Sequence, residues 1–190
     1  DPFPLSEEKK VRGNRRLGRE KVLQILIAHK VSGEEIDKIF SHAFYRKFNF
    51  NDSKHKDTGR IMRPDEIREL EADIPIVWKE EDVKFAKRLI NFTMDHTDEF
   101  DDLIMEYAEN WELDRIALID RVLMHMAISE LLEFHDIPPK VSVNEAIDIA
   151  KKYSTDKSSI FINGILDSIL ARLKKEDKLL KEGRGLQDHT

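Results

Sequence analysis

Residues 9–21, KKVRGNRRLGREK, gather seven Lys and Arg against Glu20 alone. Projected at helical spacing, Arg12, Arg15, Arg16 and Arg19 fall within an arc of about 100°. A guanidinium offers a planar fork of donors that matches phosphate oxygens and base edges. The stretch can present them from a helix face or from an extended RGNRR arm. A second cluster lies at 151–161, KKYSTDKSSIF, where Lys151, Lys152 and Lys157 are interleaved with Tyr153 and Phe161. It spans a turn into a helix, whose first backbone N–H groups can meet a phosphate. Rings among cations suit single-stranded RNA, whose splayed bases stack on them. Core packing is the competing use of both rings. Residues 95–114 carry the opposite sign, with nine acids and no Lys or Arg. Such a pair of patches fits two partners of opposite charge, although charge runs also serve as plain solvated helix faces.

Other chemistries find no support. The sequence holds no phosphate-binding glycine loop, no dinucleotide fingerprint and no nucleophile elbow. Its seven histidines include no pair three or four residues apart, so a helical zinc site is not expected. No catalytic residue, metal ligand or cofactor is assigned. His125, inside an apolar helix, reads as a satisfied buried side chain rather than a base. Cysteine is absent, which excludes disulfides and thiolate metal sites and suits a reducing cytoplasm. No apolar run reaches the ~20 residues of a membrane span. The chain does not begin with Met, as expected of a processed or trimmed start.

The elements that must position these groups read as helices throughout. Composition agrees: 40% hydrophobic, 37% charged, and only 7 Gly and 6 Pro in 190 residues. The first helix is expected from about Asn14 to Lys30, apolar on nearly every side between Val22 and Ala28. Ser32-Gly-Glu-Glu35 fits a capping box that opens a second helix, with Ile36, Ile39, Phe40, Ala43 and Phe44 on one stripe. Residues 49–78 have no sustained period and read as a long charged loop, with a short helical turn at 64–71. Helices resume at 79–100, where Val83, Ala86, Leu89, Ile90 and Thr93 share a face, and again at 101–109. Another long helix runs from about Asp114 to Phe134 and stops at Asp136–Pro139. Ser142-Val-Asn-Glu145 fits a second capping box.

The stretch SIFINGILD at 159–167 holds an Asn-Gly that signals a hairpin turn. Ile162, Ile165, Leu166, Ile169, Leu170 and Leu173 nevertheless share a helical stripe about 140° wide, so a helix from Asp156 to about Leu180 is expected. Gly164, Ser168 and Ala171 on its other side predict a second close helix contact, making this helix central. The fold class is all-α, about seven helices in two small lobes. The lobes are expected at about 14–96 and 97–180, forming a single domain with a loose tail at 181–190.

Three blocks carry a family resemblance: RRLGREKVLQIL, RIALIDRVLMHMAISELL, and IPPKVSVNEAIDIAKKYSTDKSSIFINGILDSI. They resemble the NusB family of bacterial transcription antitermination factors, over about residues 14–175. The resemblance implies an all-α fold and binding to the boxA element of nascent ribosomal RNA, jointly with the small-subunit ribosomal protein NusE. It also implies entry into an antitermination complex on RNA polymerase. The family's arginine-rich start maps to Arg15, Arg16 and Arg19. Its second RNA contact maps to Lys157, Ser158 and Phe161, and its NusE-facing acidic position to Asp120, with Asp114 nearby. With Arg12 and Lys152 from the charge clusters, these residues form the expected binding surface. Ile27, His125 and Ser129 depart from the family's usual Tyr, Arg and Tyr, and the 49–78 segment looks like an insertion.

Two other classes compete. One is the RNA-binding module of a ribosomal RNA methyltransferase, for which the chain offers no room after its last helix. The other is a helical protein–protein adaptor or homodimer with no RNA role. Salt-sensitive RNA binding would separate the leading reading from the adaptor.

Overall fold

The computed structural model describes residues 11–45, 76–109 and 111–186. Seven α-helices occupy them: α1 (Arg15–Ser32), α2 (Ile36–Tyr45), α3 (Glu80–Asp95), α4 (Thr97–Met105), α5 (Leu118–Glu133), α6 (Pro139–Tyr153) and α7 (Asp156–Lys175). The fold is all-α. Short 3-10 turns lie at Leu113–Arg115 and Gly183–Leu186. The expected loop at 49–78 and its helical turn fall mostly outside the described residues, but its end does not. Ile76–Val77 forms a short strand, β2, that pairs in parallel with β1, Val11–Arg12.

That pairing removes the possibility of a free RGNRR arm. Gly13 N–H donates to Val77 O at 2.8 Å. A Cβ at Gly13 would lie 2.3 Å from the Trp78 ring, so only glycine lets the chain pass beneath the indole. Asn14 then caps α1, its Oδ1 accepting from Leu17 N–H at 2.9 Å. Arg12 therefore sits on a strand, not on the helix face to which the projection assigns it.

Helix α5 is the centre of the molecule. It packs against α1, α3, α4, α6 and α7, and every residue from Val122 to Leu131 is buried. Its apolar residues surround the axis because neighbours do. Each fully buried Leu, Ile or Met there contributes about 1.5–3 kcal/mol of transfer free energy. Helix α7, expected to be central, is one-sided instead. Ile162, Ile165, Leu166, Ile169 and Leu173 are buried, but a Cβ added at Gly164 would meet nothing within 4 Å. Among the described residues no second helix approaches that face and nothing requires glycine there. Gly164→Ala should accordingly raise stability by about 0.8–1 kcal/mol, read as a shift of the denaturation midpoint. A loss of stability would mean that this face is covered after all.

Several helix ends differ from their sequence signals. Ser32 is the last residue of α1, its Oγ donating to Ala28 O at 2.7 Å, so no capping box forms. Gly33 at φ 70° ends the helix, its N–H bonding His29 O. Ser142 is no cap either, because α6 begins three residues earlier at Pro139. The break between α3 and α4 falls at His96, not near residue 100. At the end of the chain, residues 181–186 are pinned rather than loose. Lys181 Nζ donates to Glu130 O (3.1 Å) and Phe134 O (2.8 Å), terminal carbonyls of α5. Residues 187–190 lie outside the described part.

Candidate nucleic-acid interface

Helices α1 and α6 are bridged by charged side chains. Arg16 Nε and Nη2 donate to Glu145 at 3.1 and 2.8 Å, and Nη2 also reaches Asp148 at 2.9 Å. One turn on, Lys152 Nζ and Tyr153 Oη donate to Glu20 Oε2 at 2.7 and 2.6 Å. Burial alone would raise the pKa of Glu20, but these two donors outweigh it and hold the carboxyl below its ordinary range. The pairing order, 16 with 145 and 148 and then 20 with 152 and 153, means the two helices run in the same direction here. Ion pairing thus draws the two basic clusters onto one surface, which neither cluster's spacing reveals.

Arg12 on β1 and Arg15 on α1 have no carboxylate partner among the described residues, and the guanidinium of Arg15 lies 4.4 Å from the centroid of the Phe85 ring. The Arg16 and Lys152 side chains are each more than half exposed, so a phosphate can compete for them despite their ion pairs. Lys157 is exposed on the first turn of α7. Ser158 is partly buried; its N–H is taken by the Thr155 cap at 3.1 Å, so this amide is not free for a phosphate. Phe161 is partly buried against the core, with its ring 5.3 Å from that of the exposed Trp111. The ring therefore packs against the core while part of its surface stays accessible.

Two expected contacts sit elsewhere. Arg19, assigned to the basic face, is only 5% exposed. Its Nε and Nη2 donate to Glu130 Oε1 and Oε2 at 2.6 and 2.8 Å, and Ser142 Oγ donates to the same carboxylate at 3.1 Å. This bidentate pair ties α1 to α5 and α6; the guanidinium is part of the interior because the helix turns Arg19 inward with Leu23 and Leu26. Asp120, assigned to a protein partner, is also 5% exposed. It accepts from Ser154 Oγ at 2.7 Å, and Ser154 continues to Ser158 at 2.9 Å. Its work is to hold the α6–α7 turn that presents Lys157. Asp114 is exposed on the 3-10 turn, within the acidic stretch.

Of the residues that depart from the family's usual pattern, His125 and Ser129 are built into the interior and Ile27 is half-buried at its edge. His125 Nε2–H donates to Asp101 Oδ1 at 2.8 Å, and Arg121 grips the same carboxylate with two donors. Burial lowers the His125 pKa to about 4 against the opposing pull of Asp101. Ser129 Oγ donates to His125 O, so the hydroxyl of Thr93, 2.8 Å away, must donate to Ser129. Ile27 packs against the core. Sequence spacing gave no sign of the Asp101–Arg121–His125 cluster, although Arg121 and His125 are four apart on one helix.

An open groove of about 690 Å3 borders the first turn of α1. Arg15, Arg16 and Lys79 line it together with Arg184 from the C-terminal turn. Arg184 was missed because its segment lacks hydrophobic period. Among the described residues, no helix is long and apolar enough to cross a membrane.

With this geometry in place, comparison with known proteins is decisive. The NusB family model matches residues 46–171. The chain belongs to the NusB family. The NusB transcription antitermination protein of Chloroherpeton thalassium is 41% identical over 175 residues, 92% of this chain and 70% of that one. The NusB of Salinibacter ruber is 52% identical over 102 residues, 54% of this chain and 64% of that one. Among solved structures, T. maritima NusB superposes with a TM-score of 0.65 at 28% identity, covering 88% of this chain and 98% of that one. A complex of the antitermination factors NusB and NusE with dsRNA shares the fold, with a TM-score of 0.60 at 19% identity and coverage of 83% and 96%. The NusB match begins at residue 46, after the basic helix, and includes the stretch read as an insertion.

Proposed function

We propose that this chain is an RNA-binding antitermination factor that takes up a boxA-type element of nascent ribosomal RNA together with NusE. In this reading it joins the antitermination complex on RNA polymerase and works in the cytoplasm, by binding alone, without a catalytic step. The observation that carries the reading is the joint surface of α1 and α6–α7. There Arg16, Lys152 and Lys157 are exposed beside a half-buried Arg15 and a half-buried Phe161, and Arg12 is exposed on β1, just before α1. The cations supply salt-dependent attraction to phosphates, and the Phe161–Trp111 pair supplies ring faces for bases. Arg19 and Asp120 contribute by positioning this surface, not by touching a partner. The acidic stretch at 95–114, with Asp114 exposed, attracts a basic ribosomal protein. Residues 1–190 act as one RNA-binding domain.

The test is fluorescence anisotropy with a boxA-type RNA and a scrambled RNA, with and without NusE, at two salt concentrations. Expected are tighter binding to the boxA-type RNA, a gain with NusE, and a loss with salt. Arg16→Glu should weaken RNA binding by about tenfold or more, since a charge of the wrong sign replaces a phosphate contact, while NusE binding stays nearly unchanged. Equal, weak binding of both RNAs would remove the reading and leave a helical adaptor.

A further inference from the structure

The C-terminal turn supplies a cation to the groove beside α1. Three hydrogen bonds build this turn into the fold and one closes it on itself. Lys181 holds two terminal carbonyls of α5, Glu182 N–H donates to His135 O at 2.9 Å, and Gly185 N–H donates to Glu182 O at 2.8 Å. Gly185 lies so close to His135 that a Cβ there would be 1.9 Å from its carbonyl oxygen. Arg184 is thereby carried between two fixed points, exposed, into the groove that Arg15 and Lys79 also line.

The groove's charges sort unequally. Arg16 and Arg19 are engaged by Glu145 and Glu130, and Lys79 lies 3.5 Å from Glu81. Among the acids, Asp136 acts electrostatically on Lys181, while Asp82 is buried in the first turn of α3, where the helix dipole favours a carboxylate. Arg15 and Arg184 remain, two guanidinium groups from separate segments with no carboxylate partner among the described residues. Ile137, Pro138 and the exposed Val141 add an apolar side. A strand with anionic links and flat apolar bases matches such a lining.

We infer that Arg184 is an RNA-backbone contact, the groove extending the α1 surface so that one RNA strand is held between Arg15 and the C-terminal turn. The inference rests on the RNA-binding reading above, but it concerns a segment beyond the family match, which ends at residue 171. The experiment compares the full chain with its Arg184→Ala, Arg184→Lys and Lys87→Ala variants. Anisotropy is measured with the boxA-type RNA across a salt series, with thermal melts confirming the fold. Arg184→Ala should weaken binding about 3- to 10-fold and flatten the log–log salt slope by ~0.7, one phosphate on a single strand. Arg184→Lys should keep the slope, and Lys87→Ala, exposed on α3 away from the groove, should change neither quantity. If the full chain binds RNA and Arg184→Ala matches it in affinity and slope, this inference alone is overturned. If the full chain shows no salt-dependent RNA binding, both readings fall together.

Discussion

Arg19→Met is expected to destabilise the protein by about 3–5 kcal/mol, because it strands the Glu130 carboxylate in the interior. Glu130 is only 2% exposed, and Arg19 supplies two of its three side-chain donors. Ser142, the third, cannot balance a full negative charge. The double variant Arg19→Met, Glu130→Leu removes both charges and replaces them with apolar volume, so it should recover most of the loss. Chemical denaturation of the two variants measures this directly. A double variant as weak as the single one would show that the pair matters for shape, not for charge compensation. RNA affinity adds a second readout. Because the guanidinium faces the interior, the refolded double variant should bind RNA as the parent does; a large selective loss would place Arg19 in contact with RNA.

Acid is expected to weaken the fold through His125. Its folded pKa of about 4 lies below the ordinary 6.5, so between these values the unfolded chain holds a proton that the folded chain does not. Stability is therefore unaffected by this group above about pH 6.5 and falls as pH drops towards 4. The loss is about 2 kcal/mol by pH 5 and about 3 kcal/mol below pH 4. Asp101 adds to the fall at lower pH. Burial would raise its pKa, but Arg121 and His125 outweigh that and hold it below the ordinary carboxylate value, so its stabilisation is lost as it protonates. His125→Gln keeps a donor towards Asp101 without a titrating ring. Denaturation midpoints from pH 7 to pH 4.5 should fall clearly less in this variant than in the parent. Parallel curves would mean that His125 is protonated in the folded protein.

Local chemistry was legible in the residues alone. Helical spacing identified α1, α2 and α7 and rejected the hairpin at Asn163–Gly164, because a 3.6-residue period over a long stretch outweighs one turn-forming dipeptide. Charge clustering located the basic surface at both of its sources, Arg12–Arg19 and Lys151–Lys157. Which member of a cluster faces outward was not legible. Arg15, Arg16 and Arg19 look alike in sequence, yet Arg19 meets Glu130 from a helix more than a hundred residues away. Asp120 likewise turns to Ser154 and not to solvent. The caps failed for the same reason: Ser142 matches a capping pattern but spends its hydroxyl on Glu130. Arg184 reached the groove only through the bonds of Lys181 and Glu182 to the end of α5. Sequence by itself determined the helices and the sign of each surface, since period and charge are local properties. Tertiary structure decided which charges are spent inside and which remain for a partner, because that depends on contacts between segments far apart in the chain.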